Sequence, residues 1–393
     1  MAGDDARLEY TAQVESASLS GEVSLSITPD GLNVISLFQP VFVAFKDVVA
    51  ISRPDYLVVV VTTTDRFSFA HLGTWRDGFY LALLAGFNAK VRRALFLAGQ
   101  PSFAADGDFG YSEDGTQAGG QATVELYDDC LALLPPDDRA RRVPLVCVTE
   151  LRAEAFGLTL GLDGGDWYTV TRLGRSADDL VAAVKQKLVA LRQRGLEAVR
   201  ALDASLAASQ VTAIAARMPP GVALPAAEVA TMAPSYLAAI EQRIARSRAA
   251  QTYVGLAAVC PPGDICLGLK PAAGADQPAD CWFIAPSASQ AVAAVEWALA
   301  PTEDNEAAAT YFYASGDDRA GFARRFNRAM AAIDFHREVV TAPVDQLNQP
   351  GYDHYAMAVR RTPALAWLRH NLVGRVVHAS MSAWTAGMTR LMT

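Results

Sequence analysis

The stretch Phe67-Ser-Phe-Ala-His-Leu-Gly-Thr-Trp-Arg-Asp-Gly-Phe79 returns 101 residues later as Tyr168-Thr-Val-Thr-Arg-Leu-Gly-Arg-Ser-Ala-Asp-Asp-Leu180. In both, apolar residues alternate with small polar ones, a Leu-Gly corner follows, and an acidic start leads into an apolar stripe at helical spacing. The same strand, corner and helix are therefore written twice. A segment that carries its whole local pattern to a second place marks a duplicated module.

The correspondence extends upstream. Val23, Leu25 and Ile27 alternate with Ser24, Ser26 and Thr28, Pro29-Asp30-Gly31 turns the chain, and Leu32 and Val34 resume the pattern. At an offset of 99 stand Ala122, Val124 and Leu126, the turn Asp128-Asp129-Cys130, then Leu131 and Leu133. At an offset of 100, Val43, Phe45, Val48 and Ile51 match Val143, Leu145, Val148 and Leu151. Two one-residue insertions account for the drift. Each copy ends in a helix. The first is expected from Thr74, with Thr74 and Asp77 as a capping box, along Phe79, Leu83, Phe87, Val91 and Leu95. The second runs from about Ser176 along Leu180, Val184, Leu188 and Leu191. An antiparallel sheet closed by one terminal helix buries both apolar faces, which puts the chain in the α+β class.

Six or seven short strands, the central Val43-x-Phe45-x-x-Val48 pair and one C-terminal helix resemble the pleckstrin-homology-like superfold, including its GRAM relatives, over residues 7–98 and 118–194. The resemblance implies tandem barrel-like modules, each plugged by its helix. It also implies a binding role, toward lipid headgroups, peptides or partner domains. Members that bind phosphoinositides carry Lys and Arg around the first hairpin. Here those hairpins hold Pro29-Asp30 and Asp128-Asp129, and the basic group Arg139, Arg141 and Arg142 follows Asp137-Asp138. A protein ligand is thus expected ahead of a phosphate.

The 393 residues, 51% hydrophobic and 19% charged, suit a globular chain of two to four domains. A net charge of −8 argues against a general nucleic-acid binder, which needs clustered cations. The charge is uneven: beyond Asp353 there is no acid, and five arginines give the last forty residues +5. The start Met-Ala-Gly-Asp-Asp-Ala-Arg has no signal-peptide pattern, no apolar run of about 20 residues could cross a bilayer, and five cysteines fit a reduced cytoplasm better than a disulfide framework. A cytoplasmic location is expected.

Between the copies, Asp106 to Gly120 is acidic and glycine-rich and reads as a linker. Asp106, Asp108, Ser112 and Asp114 fall on calcium-loop positions, but Tyr111 stands where that loop needs glycine and Gln117 where it needs glutamate. Asp108-Phe109-Gly110 lacks the nucleotide loop and catalytic His-Arg-Asp that accompany it in kinases.

Residues 195–250 read as Ala-rich helices, a spacer or packing element, with Leu196, Val199, Leu202, Leu206, Val211, Ile214, Tyr236, Ile240 and Ile244 as their apolar side. Strand patterns return at Thr252–Val259, Ile265–Leu269, Cys281–Ile284 and Thr310–Tyr313, before a helix through Phe322, Phe326 and Met330. Residues 251–337 are either a degenerate third copy or a separate α+β domain. The final part, 338–393, reads as a basic helical tail, with a helix from Pro363 through Leu365, Leu368, Leu372, Val376, Met381 and Trp384. Its Arg360, Arg361, Trp367, Arg369, Arg375 and Trp384 form the candidate interaction surface, toward an acidic protein or an anionic membrane.

Catalytic chemistry is not written in these motifs. Cys260, Cys266 and Cys281, with His336, His354, His370 and His378 downstream, lack the paired spacing of a zinc site. No P-loop, dinucleotide fingerprint, His-Glu-x-x-His or Gly-x-Ser-x-Gly occurs, so no catalytic, metal or cofactor residue is assigned. Three functions remain open. The chain is a non-catalytic cytoplasmic scaffold or adaptor that binds proteins or itself, a peripheral membrane protein contacting lipid through its tail, or an enzyme of unread class in residues 251–393.

Overall fold

The computed structural model describes residues 9–37, 39–247, 249–271, 278–286, 292–298, 309–377 and 380–392. The first module comprises strands β1 Glu9–Glu15, β2 Ser20–Thr28, β3 Gly31–Ser36, β4 Pro40–Ala44, β5 Val48–Ser52, β6 Val58–Thr62 and β7 Arg66–Ala70, then helix α1 Arg76–Ala94. The second repeats it as β8 Phe103–Glu113, β9 Thr116–Leu126, β10 Cys130–Leu134, β11 Arg141–Pro144, β12 Val148–Glu154, β13 Gly157–Leu162 and β14 Trp167–Thr171, then α2 Ala177–Leu202. Both sheets are antiparallel, and their strand orders, β4-β3-β2-β1-β7-β6-β5 and β11-β10-β9-β8-β14-β13-β12, are the same order shifted by seven. In each, the first strand pairs with the last, which sets the two halves of the sheet around the helix. Tyr10, Leu25, Val34, Val60 and Phe69 of the sheet and Phe79, Leu83 and Phe87 of α1 are buried, and the rings of Tyr10 and Phe69 pack edge-on against Phe79.

The Leu-Gly corner is one backbone shape used twice. His71 and Gly73 have φ of 60° and 55°, Arg172 and Gly174 have 57° and 58°, and Leu72 and Leu173 are buried between them. This zigzag runs into a short 3-10 turn, Gly73–Trp75 or Gly174–Ser176, before each helix. The expected capping box at Thr74 is therefore absent: α1 starts from a helical Trp75 with no side-chain cap, because the 3-10 turn already supplies its entry.

Residues 106–120 are not a linker. They form both arms of the β8–β9 hairpin, in register from Phe103 opposite Leu126 to Glu113 opposite Thr116. The second module accordingly begins near Phe103. Asp114-Gly115, with φ of 48° and 76°, is the two-residue turn that an Asp-Gly pair favours. The arm glycines allow close strand packing, since a Cβ on Gly107 would lie 2.8 Å from the Thr171 carbonyl oxygen and one on Gly119 would lie 2.9 Å from that of Phe109.

The rest of the chain continues as α3 Ala208–Arg217, β15 Leu224–Pro225, α4 Ala226–Met232, α5 Pro234–Ala245, α6 Ala250–Val259, β16 Cys266–Pro271, β17 Pro278–Pro286, β18 Val292–Ala298, β19 Ala309–Ala314, α7 Arg319–Ala332, α8 Glu338–Thr341, α9 Val344–Leu347, α10 Asp353–Arg361, α11 Pro363–Asn371, β20 Leu372–Val377 and α12 Met381–Met392. The third sheet is ordered β15-β16-β17-β18-β19-β20. Among the described residues this sheet is a meander without the first-to-last pairing of the other two, and it takes β15 and β20 from outside residues 251–337.

Two expected elements differ. Residues 252–259 are helix α6, not a strand, with Thr252 and Leu256 buried one turn apart. The expected continuous helix after Pro363 is broken, because Leu372–Val377 leaves α11 as a strand and pairs with β19. The helices of residues 195–250 act as a packing element: Val199, Val211, Ile214, Tyr236, Ile240 and Ile244 share a core with Leu267 of β16, Phe283 of β17 and Phe312 of β19.

The chain divides into two compact units. One contains both modules through residue 183, apart from 144–147, together with residues 342–363; the other contains residues 144–147, 184–341 and 364–393. Among the described residues, no helix is long and apolar enough to cross a membrane.

Candidate interaction surface

Of the six tail residues, Arg361 and Trp384 are buried. Arg360 and Arg361 belong to the unit of the two modules, the other four to the second unit. Arg361 is buried: its guanidinium donates to the carbonyl oxygens of Val48, at 2.6 Å, and Asp137, at 2.7 Å, and lies over the Phe87 ring. Burial, with Arg360 beside it, pulls its pKa down to about 10. Trp384 is also buried and donates its indole N–H to the Thr310 hydroxyl at 3.0 Å. Arg369 donates to the Val339 carbonyl oxygen at 2.7 Å, and Trp367 packs between Phe322 and Arg325. Arg360 and Arg375 are exposed, the latter over the Tyr311 ring.

Cys260 and Cys266 are buried, and burial pushes their pKa values up to about 11 and about 12. His336 contacts the Ile333 carbonyl through Nδ1, and His354 packs on Tyr355. The Cys281 side chain and His378 lie outside the described residues. Among the described residues, no three His, Cys, Asp or Glu come together as a metal site.

Within the first unit, the two modules meet through buried polar contacts. Arg92 near the end of α1 holds Glu125 of β9 through two nitrogens, at 3.0 and 2.6 Å, and Tyr127 donates its hydroxyl to the same carboxylate at 2.8 Å. Glu125 thus raises the Arg92 pKa, chiefly through this hydrogen bonding. Arg142 donates to the Phe96 carbonyl oxygen at 2.8 Å and pairs with Asp129. Leu97 covers Tyr127, Cys130 and Ala132. On the other side, Ile51 of β5 donates its N–H to the Pro136 carbonyl at 2.7 Å, next to a bridge between Ala50 and Asp137. Helix α10 packs on α1, adding Arg361 and a Lys46–Asp353 ion pair at 3.1 Å. The basic group read from the sequence is used up here and nearby: Arg139 binds Asp137 and the Gly119 carbonyl, and Arg141 binds Glu113 at 2.6 Å and the Arg361 carbonyl at 3.1 Å.

The surface of the second module that makes this junction is its β10–β11 hairpin, every strand residue of which is buried. The matching β3–β4 hairpin of the first module is open. Its inner side, Leu32, Val34 and Val43, belongs to the core, while Ile35 is 49% exposed, Phe42 51% and the turn residue Leu37 95%. Asn33 stands opposite Phe42 and Ile35 opposite Pro40, so Ile35 and Phe42 are diagonal neighbours on one face. Gly31 makes room for the Phe42 ring, which would lie 2.8 Å from a Cβ there. Strand β4 ends its sheet.

No protein-family model and no curated protein matches this chain.

The exposed hairpin had a signal in the sequence that the offset alone did not bring out. No charged residue stands between Asp30 and Lys46, in a chain where 19% of residues are charged, whereas the matching segment of the second module carries Asp137, Asp138, Arg139, Arg141 and Arg142. A second pair of exposed residues follows the repeat itself: Tyr56 and Phe156, at offset 100, tip the β5–β6 and β12–β13 turns at 86% and 66% exposure.

Proposed function

We propose that the chain is a non-catalytic cytoplasmic adaptor built on tandem pleckstrin-homology-like modules and that it works by binding protein. Support for the family likeness comes from the strand order, with the first strand pairing the last, and from the single helix that closes each sheet. The observation that carries the binding role is the contrast between the two hairpins. In the second module the β10–β11 hairpin is already buried, by the first module together with α10. In the first module the same hairpin offers Ile35, Leu37 and Phe42 to solvent with no charge among its residues. Contiguous apolar side chains on a sheet edge are the usual mark of a protein contact.

The membrane alternative draws less support. Arg361 and Trp384 of its tail surface are buried, and Arg369 is spent on a backbone carbonyl. The enzyme alternative, in its thiol form, meets two buried cysteines whose pKa values burial has raised. The test is capture from the native source with the tagged full chain and with Ile35→Lys/Phe42→Lys. Specific partners lost on substitution support the reading. An identical set of captured proteins removes the hairpin from it, and co-sedimentation with anionic vesicles that survives the substitutions favours the membrane alternative.

A further inference from the structure

We propose that the β3–β4 hairpin is a homodimer surface, on which β4 pairs antiparallel with β4 of a second copy about a two-fold axis at Phe42. This deepens the adaptor reading and rests on it. Three observations converge on a second copy. First, the counterpart hairpin in the second module is buried partly by the first module, where Leu97 packs on Cys130 and Ala132, Arg142 donates to the Phe96 carbonyl and Ile51 donates to that of Pro136, so the scaffold's own surface is a partner already seen there. Second, β4 is a terminal strand without the charges that ordinarily block edge-to-edge pairing; Pro40, at its first position, leaves the rest of the edge available. Third, a surface without charge cannot select an oppositely charged partner, whereas a strand placed against its own copy is antiparallel by symmetry, the mode every neighbour in this sheet already uses.

In this arrangement Phe42 faces Phe42 of the second copy, Val41 faces Val43, and Ile35 and Leu37 close over the joint from each side. The free edge of β12 offers no equivalent, since its exposed residues include the Glu150–Arg152 ion pair.

Sedimentation velocity on the full chain across a wide concentration range tests the proposal, together with Phe42→Lys and Phe42→Cys. A dimer is expected for the native chain. Phe42→Lys, which sets like charges opposite one another on an exposed position, is expected to weaken it by about tenfold without changing the fold's circular dichroism. Phe42→Cys is expected to give, on mild oxidation, a dimer cross-linked by a disulfide between the two introduced thiols, because directly paired residues lie within disulfide reach. A native chain that stays monomeric, or a dimer that Phe42→Lys leaves intact, overturns the proposal. The adaptor reading is judged separately: a monomeric chain that still loses captured partners on Ile35→Lys/Phe42→Lys keeps that reading while ending this one.

Discussion

The repeated corner shows what one residue contributes to a duplicated fold. His71 and Arg172 hold a positive φ without being glycine, which costs each about 1 kcal/mol. His71→Gly is therefore expected to stabilise the first unit by about 0.5–1 kcal/mol, and Gly73→Ala, at φ 55°, to destabilise it by about 1 kcal/mol, both measured by urea unfolding. A destabilising His71→Gly would mean that the His71 side chain makes a contact worth more than the strain. The positions of this corner were legible, because Leu-Gly recurs at a fixed offset; its conformation was not, since neither His nor Arg announces a left-handed residue. At the thiols, raised pKa values of about 11 and about 12 leave about a thousandth or less of Cys260 and Cys266 as thiolate at pH 8. Iodoacetamide on the folded chain at that pH is expected to leave both unlabelled, by peptide mass spectrometry. Rapid labelling of Cys266 would restore the thiol-enzyme alternative.

At the scale of elements, alternation of apolar residues identified both sheets, and composition misled wherever it replaced alternation. Residues 106–120 looked like a linker because their glycines resemble linker glycines, yet Gly107 and Gly119 sit where neighbouring backbone leaves no space for a side chain and Gly115 makes the hairpin turn. Residues 252–259 and 372–377 are short apolar runs whose periodicity is compatible with either helix or strand, and tertiary packing chose between them. The same close approach makes Gly157 critical. A Cβ there would lie 1.8 Å from the Val170 carbonyl oxygen, across the β13–β14 ladder. Gly157→Ala is expected to destabilise the first unit by about 2–4 kcal/mol, above the ordinary cost of a surface substitution, measured by urea unfolding. Full stability in this variant would show that the β12–β13 turn can shift as a body. The exposed hairpin was the least legible element, since it follows the same inward alternation as its buried counterpart and differs only in the residues facing outward.

At the scale of the first unit, the two modules and α10 share polar groups that neither module can satisfy alone. Glu125 is 3% exposed and bonded by Arg92 from the other module, Arg142 depends on the Phe96 carbonyl, and Arg361 serves Val48 of one module and Asp137 of the other. Opening the junction would exchange several hydrogen bonds to charged groups for water, at a net cost of about 1.5–3 kcal/mol each. Separation of the modules is therefore costly enough to tie their unfolding together. The expected outcome is one cooperative transition, in which the core amides of β1–β7 and β8–β14 exchange hydrogen with the same opening free energy. Glu125→Ala, which strands the Arg92 guanidinium and the Tyr127 hydroxyl, should then lower protection in both sheets by the same amount, about 2–4 kcal/mol. The alternative gives a different pattern: if the modules open independently, only β8–β14 loses protection, and β1–β7 keeps its native exchange. Arg361→Met separates the contributions further, because it removes the donor to Val48 and Asp137 while leaving the Arg92–Glu125 pair in place. Equal losses in both sheets from either substitution would establish the pair as one folding unit, with the duplicated module as half of it. That outcome would also explain why the β10–β11 hairpin is spent inside the chain while its twin, β3–β4, remains available for a contact outside it.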